Sequence, residues 1–298
     1  MFNPAAFIAM DPIDGKEKVF LVPRAEKDQP GSTWKKKSEA PLLASDDGRH
    51  FYRYSDGPWL RATEPYELAG GTEDARYADL RLQPFVDVDG HVFDGAMMYT
   101  AYDGKTARIS VMFFNHGNPL DTRKKGLVFK DSDVMKNPLV PGNPAWNKSM
   151  AMRQYRDPKT GAVKNVYFFG EGNLHHGGIL EMTTDRPFSS RPDGSFGLKF
   201  PETKPVLTSR PGLFDQALVE SAHQPEVVRL SESLAKRTGE KYGLVLSYHG
   251  DTPPWGYSVG YAIFSLEHPE SGPLYRSKGP YLKPIESLEN SAQDDKVI

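Results

Sequence analysis

Three carboxylate residues, Asp74, Glu171 and Glu220, are the side chains of this sequence best suited to acid–base chemistry. Cleavage of an acetal needs an acid that protonates the leaving oxygen and a base that activates water or an incoming phosphate. Flanking carboxylates also stabilise an oxocarbenium-like transition state and keep the pKa of the acid raised. With aromatic walls around them, these residues indicate chemistry on a glycosidic bond.

Each of the three carboxylates also has a structural interpretation. Asp74 could cap a turn or pair with Arg76, and Glu171 could pair with Lys148. Glu220 could lie at the rim of a cavity without touching a ligand. The catalytic interpretation therefore depends on whether the fold brings the three residues to one place.

A repeated pattern of strands indicates that the fold brings the three carboxylates together. Four apolar segments recur at intervals of 69 to 78 residues, and each ends in a polar residue: Arg24, Tyr102, Glu171 and His249. Each is preceded, 21 to 29 residues earlier, by a segment with a polar residue of its own: Asn3, Asp74, Lys148 and Glu220. The repeated unit is a strand with a polar start, a turn, a strand with a polar end and a further hairpin.

This unit predicts an all-β fold, and specifically a β-propeller, because equivalent strands of a propeller line one central cavity. Turn pairs such as Asp103-Gly104 lead into another strand, Ala107–Phe113. The many glycines and prolines favour turns over long helices. The alternative is a β-sandwich in which the alignment of polar residues is coincidental. The four repeated segments are Val19–Arg24, Met97–Tyr102, Val166–Glu171 and Leu244–His249. The short apolar runs of the chain have strand length: Val19–Val22, Ala96–Thr100, Val166–Phe169, Leu244–Ser247 and Gly260–Phe264.

One charged stretch, Ser231–Arg237, is the best helix candidate, and we interpret it as an insertion in a hairpin. The tandem histidines His175-His176 lack the spacing of a zinc site, which favours a loop or a substrate contact. The sequence from Asp87 to Gly90 resembles a calcium loop but lacks its final Glu, so it predicts a hairpin turn.

Composition excludes several classes of function. Lys and Arg number 37 against 39 Asp and Glu, so the basic excess of a phosphate-neutralising nucleic-acid binder is missing. Cysteine is absent, which excludes disulfides, thiolate metal sites and cysteine nucleophiles. No apolar run is long enough for a transmembrane helix, and no nucleotide-binding glycine loop or HExxH motif occurs.

Six segments together resemble glycoside hydrolase family 130, the family of β-mannoside phosphorylases and β-mannosidases. Their order and spacing fit, and the resemblance extends over nearly the whole chain. The segments are FNPAAF (Phe2–Phe7), VPRAE (Val22–Glu26), GTEDAR (Gly71–Arg76), YTAYDGKTAR (Tyr99–Arg108), RPGLFDQALVE (Arg210–Glu220) and SYHGD (Ser247–Asp251).

The resemblance implies a five-bladed β-propeller formed by residues 1–298 as a single catalytic domain. It also implies an inverting mechanism on terminal β-mannosides, with Asp74 as the general acid because it matches the Asp of the family's EDPR motif. The resemblance places Asn3, Arg24, Tyr102, His249 and Asp251 on segments that line the mannose subsite or its neighbour. The predicted substrate-binding set also includes Arg76, Asp103, Lys148 and His223.

Three features depart from the family pattern. Glu171 occupies the place of a phosphate-binding Arg, and at about 4 Å a carboxylate would oppose a phosphate dianion by several kcal/mol in an effective dielectric near 20. EDAR replaces EDPR, which removes a rigid turn but keeps both charges. The sequence also ends at Ile298, where family members begin the last inner strands, so either the fifth blade is incomplete or its last segment is missing from this sequence.

The sequence therefore favours hydrolysis of β-mannosides, with Glu171 or Glu220 activating water. Lys148 and His249 keep a phosphorylase that releases mannose 1-phosphate as an alternative, and a non-catalytic carbohydrate-binding propeller is the third. No cofactor or metal is expected, nor a nucleic-acid or membrane partner. An open ring of strands favours a homo-oligomer. The N-terminus does not resemble a signal peptide, which indicates a cytoplasmic protein unless a signal has been removed.

Overall fold

The computed structural model describes residues 2–28, 36–120, 124–130, 148–173, 176–191, 195–201 and 204–283, with only the backbone of residues 2, 171–173 and 176–177. These residues form 22 strands and one α-helix, α1 (Glu232–Thr238). In chain order the strands are β1 (Phe2–Met10), β2 (Glu17–Asp28), β3 (Lys36–Ser45), β4 (Tyr52–Leu60), β5 (Gly71–Asp79), β6 (Phe85–Val86), β7 (Val92–Phe93), β8 (Gly95–Tyr102), β9 (Ala107–Phe114), β10 (Lys124–Leu127), β11 (Ala151–Arg156), β12 (Val163–Phe169), β13 (Glu171–Asn173), β14 (His176–Gly177), β15 (Leu180–Thr184), β16 (Ser189–Ser190), β17 (Phe196–Gly197), β18 (Leu218–Ser221), β19 (Glu226–Arg229), β20 (Tyr242–Asp251), β21 (Ser258–Ser265) and β22 (Pro273–Arg276).

The chain divides into two compact units. Unit 1 contains the described residues of 1–149 and 186–200, and unit 2 contains those of 150–185 and 201–298. Unit 1 is built on an eight-stranded sheet in the order β1-β2-β3-β5-β8-β9-β10, with β4 paired to β3. Its strands pair in antiparallel fashion except at a single parallel contact between β3 and β5, Ser38 to Gly71. Two short hairpins, β6–β7 and β16–β17, complete the unit.

Alternation along the strands builds the core of unit 1. In β2, Phe20 and Val22 are fully buried, whereas Val19 and Leu21, before and between them, are partly exposed. Phe7 on β1 stacks on Phe20 with ring centroids 5.4 Å apart, and Phe114 on β9 lies 4.9 Å from Phe7. Such aromatic pairs add to the free energy gained from burial alone. One face of the large sheet is therefore held by packing that crosses several strands.

Unit 2 has a three-stranded sheet, β11-β12-β15, and a seven-stranded sheet in the order β14-β13-β18-β20-β21-β22, with β19 paired to β20. Leu244, Leu246 and Tyr248 alternate inward along β20 and are fully buried. The opposite positions of this strand, including His249 and Asp251, remain partly exposed. The period of two thus separates a core-facing row from a row available for chemistry.

The helix prediction is confirmed: Ser231–Arg237 overlaps α1, which lies between the paired strands β19 and β20. The Ser231 hydroxyl caps the first turn by accepting a hydrogen bond from the Leu234 amide at 3.3 Å. Gly239 ends the helix in the left-handed conformation, with φ +77°, and its amide donates to the Ala235 carbonyl.

The repeated strand pairs also form. β1 pairs with β2, β5 with β8, β11 with β12 and β18 with β20, all in antiparallel fashion. The five predicted apolar runs and Ala107–Phe113 all lie in strands. One boundary prediction is wrong: Val166–Glu171 is not a single strand. β12 ends at Phe169, Gly170 takes φ +102°, and Glu171 begins β13 in another sheet, because a glycine at positive φ turns the chain there.

The fold is thus all-β, as predicted. None of the sheets closes on itself within the described ranges. The helical segments in this part of the chain are too short or too polar to cross a lipid bilayer.

Candidate active site

Backbone strain in unit 1 is concentrated at the candidate residues. Among the described non-glycine residues, only Asn3, Asp74 and Ser149 have positive φ, at +46°, +49° and +56°. Asn3 and Asp74 lie where the register of their strand pairs shifts, and Ser149 follows Lys148 directly. Asn and Asp tolerate this conformation better than other side chains, yet each such residue still costs on the order of 1 kcal/mol. Strain of this kind is typical of functional sites.

The two strained residues on β1 and β5 contact each other. The Asn3 amide nitrogen Nδ2 donates to Asp74 Oδ1 at 2.8 Å, although the residues are 71 positions apart in sequence. Arg24 Nη1 donates to the same oxygen at 3.3 Å. Arg76 donates to the Asp74 backbone carbonyl at 2.8 Å rather than to its carboxylate. Three of the predicted residues therefore surround Asp74, which is itself 8% exposed.

The electrostatics of Asp74 differ from the expectation for an acid. Burial alone raises the pKa of its carboxyl, but Arg24, Arg76, the Asn3 hydrogen bond and Lys148 outweigh burial and lower the pKa to about 2. Asp74 is therefore ionised at neutral pH in the free protein. A group that donates a proton during catalysis must first gain one, so substrate binding has to change this environment.

Glu73 is a functional candidate that the sequence interpretation missed. Its Oε1 accepts from Arg24 Nη2 at 3.1 Å, so Glu73 and Asp74 share one guanidinium. Burial raises the pKa of Glu73, and the negative charge of Asp74 adds to this effect, whereas Arg24 and Lys148 lower it. Strict alternation would put adjacent strand residues on opposite faces, but the bulge between Glu73 and Arg76 breaks it.

Among the other unit 1 candidates, Lys148 and Tyr102 lie near one or both of the Glu73 and Asp74 carboxylates, whereas Asp103 has a different role. Lys148 lies close enough to lower the pKa of both Asp74 and Glu73, and Tyr102 is close enough to Glu73 for its own pKa to be raised by that charge, after burial. Asp103 instead holds its own hairpin turn. Its Oδ1 accepts from the Thr106 amide at 2.7 Å, and its Oδ2 accepts from Arg108 Nη1 at 2.7 Å.

Unit 2 holds the second group of candidates. Glu220 on β18 lies directly opposite His249 on β20, and the backbone of Glu171 on β13 lies opposite Glu220 from the other side. Glu220 is only 3% exposed. The two predicted bases therefore occupy neighbouring strands in register. The side chain of Glu171, like His175, lies outside the described residues.

Tyr257, just before β21, is a second residue that the sequence interpretation missed. Its hydroxyl donates to Glu220 Oε2 at 2.7 Å, and its ring lies 4.9 Å from the His249 ring. His223 is close by, with its ring 6.5 Å from that of His249. Asp251, two positions after His249, has its pKa raised by burial. No spacing rule in the sequence marks Tyr257, because a loop rather than a strand brings it to Glu220.

The Asp87–Gly90 segment forms the predicted turn, between β6 and β7. Asp87, Asp89 and His91 bring ligand atoms within 4.8 Å of one another. The Asp87 carboxylate, however, already accepts from the His91 amide at 2.9 Å and from Lys124 Nζ at 3.1 Å. These contacts account for the buried charge of Asp87, so the arrangement explains a hairpin and gives no reason to assign a cation.

No protein-family model matches the sequence, and no curated protein matches it. Solved structures do match in fold. A glycosyl hydrolase from Bacteroides ovatus is 21% identical with a TM-score of 0.64, over 96% of this chain and 72% of that one. A β-1,2-mannobiose phosphorylase from Listeria innocua is 18% identical with a TM-score of 0.56, over 95% of this chain and 69% of that one.

A third structure represents the GH130 family of mannoside phosphorylases, which contains glycoside hydrolases that target β-1,2 mannosidic linkages in Candida mannan. It is 21% identical with a TM-score of 0.67, over 98% of this chain and 74% of that one. At these identities the similarity establishes a shared fold. It agrees with the resemblance that the sequence segments carry, and it leaves activity to be argued from the residues.

Proposed function

We propose that this protein is an inverting, exo-acting glycoside hydrolase on β-mannosides, similar to a β-1,2-mannosidase. Asp74 donates its carboxyl proton to the glycosidic oxygen as the bond from that oxygen to C1 breaks. Water attacks C1 from the opposite face and passes its proton to Glu220 or Glu171. The products are a mannose of inverted anomeric configuration and the shortened glycan.

One observation carries the proposal: a strained, buried Asp74 held by Asn3 and Arg24, two residues from distant segments. A purely structural aspartate has no need of positive φ at both partners of a hydrogen bond. Amide and guanidinium donors are also the groups that recognise sugar hydroxyls. Substrate hydroxyls that engage Asn3 and Arg24 would take these donors from Asp74.

Substrate binding also allows Asp74 to take up the proton that it lacks in the free protein. Loss of the Arg24 contact and exclusion of water by the sugar ring both raise the pKa of Asp74. The carboxyl then takes up a proton in the complex, although it is ionised in the free protein. Inversion further requires acid and base about 6.5–9.5 Å apart, with space for water between them.

Hydrolysis is favoured over phosphorolysis by the acidic groups of unit 2. Glu220 is buried, and its carboxylate accepts a hydrogen bond from the Tyr257 hydroxyl. The backbone of Glu171 lies opposite that of Glu220 in the neighbouring strand. This arrangement suits a base that activates neutral water and opposes the binding of a phosphate dianion. Lys148 and His249 support the phosphorylase alternative, as does the fold shared with a mannobiose phosphorylase.

Product analysis tests the proposal. The purified protein is incubated with β-1,2-mannobiose, with and without inorganic phosphate, and the first-formed anomer is followed by proton NMR. We expect α-mannose to appear first, at a rate that phosphate does not change. Mannose 1-phosphate as the main product would establish the phosphorylase instead, and binding without turnover would leave a carbohydrate-binding protein.

We further propose that residues 1–298 act as one catalytic domain of a five-bladed β-propeller. The four antiparallel strand pairs that recur along the chain support this arrangement. A crystal structure tests it directly: five radial sheets around one cavity are expected, and two independent sandwiches would contradict the proposal. Sedimentation of the same sample would decide whether the protein is a homo-oligomer.

A further inference from the structure

Within the described part of the chain, the Arg24 guanidinium donates to four acceptors. Nε donates to Ser38 Oγ at 2.9 Å, and Nη2 donates to Glu26 Oε1 at 2.9 Å and to Glu73 Oε1 at 3.1 Å. Nη1 donates to Asp74 Oδ1 at 3.3 Å, which is the longest of the four contacts. The guanidinium is therefore held more closely by the acceptors on Nε and Nη2 than by Asp74 on Nη1.

The charges around this guanidinium are arranged unevenly. The side chains of Arg24 and its three carboxylate partners are between 11 and 17% exposed, so solvent screens them weakly. Lys36 Nζ, 3.2 Å from Glu26 Oε2, compensates that carboxylate separately. Glu73 faces the charges of Arg24, Asp74, Lys148 and Glu26, with Tyr102 nearby. Asp74 faces Arg24, Arg76 and Lys148. Glu73 and Asp74 therefore compete for the same cation.

We propose that Glu73 is a positioning residue for the proton donor Asp74, because its carboxylate keeps Arg24 from closing on the acid. This role rests on the proposed function, since it presumes that Asp74 must become protonated when substrate binds. Without Glu73, Glu26 is the one remaining anchor of Nη2 among the described residues, and the guanidinium can then turn both terminal nitrogens toward Asp74. A two-bond ion pair would hold Asp74 ionised more firmly than one long contact does.

Glu73→Gln tests the role while keeping the shape of the side chain. We expect kcat at neutral pH to fall about tenfold on β-1,2-mannobiose, and the alkaline limb of kcat to move about one pH unit lower. An activated aryl β-mannoside needs less proton donation to its leaving group, so kcat on that substrate should fall much less. KM should change less than about twofold. Glu73→Asp, which retains the carboxylate, should recover part of the shift.

Glu39→Gln is the matched control. Glu39 lies on β3, and its carboxylate accepts from the Ala62 amide at 3.1 Å. The same change of residue type there should leave the pH profile and the leaving-group dependence unaltered. Loss of rate on both classes of substrate, with an unshifted alkaline limb, would show that Glu73 has only a structural role and would overturn the proposal.

Failure of this inference can be distinguished from failure of the proposed function. If the wild-type protein cleaves mannosides through Asp74 and the Glu73→Gln profile superimposes on it, only the positioning role is lost. If the wild-type protein turns over no mannoside, a crystal structure of Glu73→Gln decides. Arg24 making two bonds to Asp74, with the 3.3 Å contact shortened, is the expected result. An unmoved guanidinium would contradict the positioning role.

Discussion

Two buried aspartates, one in each unit, have arginine partners but very different surroundings. Asp215 in unit 2 is fully buried and accepts from Arg210 and Arg276, each with a bond of 2.7 Å to Oδ2. The Tyr248 hydroxyl donates to the same oxygen at 2.8 Å. Asp74 in unit 1 has one long arginine contact, one amide donor and a left-handed backbone.

The difference separates a carboxylate that holds the fold from one prepared for chemistry. Asp215 is satisfied by short bonds from charged and neutral donors, so removing it leaves two cations without their partner. Asp74 is strained, its carboxylate accepts from Asn3 and Arg24 among the described residues, and both donors are groups that a ligand can take over. Stability depends on the first arrangement, and activity is expected to depend on the second.

The sharpest test of this contrast is Asp74→Asn. Turnover of β-1,2-mannobiose should fall about 10³- to 10⁴-fold, equivalent to about 4 to 5 kcal/mol, because the amide cannot donate the proton. The free energy of unfolding should fall by only about 2 kcal/mol, because the interactions that lower the pKa of Asp74 are lost while Arg24 keeps Glu26 and Glu73. Asp79→Asn, at the far end of the same strand, is the control and should retain activity. An active Asp74→Asn variant would refute the assignment of the acid.

The opposite outcome is expected for Asp215→Asn. Loss of the charge between Arg210 and Arg276 should lower the free energy of unfolding by about 3 to 4 kcal/mol, measured by urea denaturation. Asp185→Asn removes an ion pair in which the Asp185 carboxylate is 82% exposed and faces Lys164, so it should lower the free energy of unfolding far less. Equal effects in the two variants would contradict the structural role of Asp215.

Glu181 extends the comparison to a buried carboxyl that faces another acid. Burial, assisted by the charge of Glu270, raises the pKa of Glu181 to about 7, although the Thr183 hydroxyl acts in the opposite direction. The folded protein binds more protons than the unfolded chain between the ordinary value of 4.5 and about 7. Stability therefore falls as pH rises through this window, and the loss is complete above it.

Glu181→Gln should remove this loss. The variant should be more stable than the wild type by about 2 to 3 kcal/mol above the window and nearly equal to it below the window. Thermal unfolding across pH measures the difference. Glu226→Gln, at an exposed position, should show no such dependence. A gain that is the same at every pH would point to packing rather than to ionisation.

The smallest expected effect is that of Tyr257→Phe. If Glu220 is the base, loss of the hydroxyl at 2.7 Å removes a donor from its ionised form. The acid limb of kcat/KM should then move up by as much as about one pH unit, with a loss of about tenfold at its low-pH end. Tyr281→Phe, whose hydroxyl contacts Ser247, is the control. An unchanged acid limb would show either that Glu220 is not the base or that the Tyr257 hydroxyl does not affect its pKa.

Much of the local structure could be predicted because it depends on neighbouring residues. Alternating apolar positions predict the strands from Val19 and Leu244, and the Ser231 cap and Gly239 define the helix between them. The pairing of Glu220 with His249 follows from the repeated hairpin. The prediction of one strand through Glu171 failed because Gly170 permits a turn that apolar content does not reveal.

By itself, the sequence determines which segments become strands and which polar residues end them, since these depend on side-chain periodicity and turn chemistry. Only the tertiary structure decides how charge is shared among them. Glu73 and Asp74 meet at one guanidinium because a bulge rotates the backbone at Asp74 and because β2 brings Arg24 to it across 50 residues. Ionisation depends on such distances through space, and a linear pattern does not contain them.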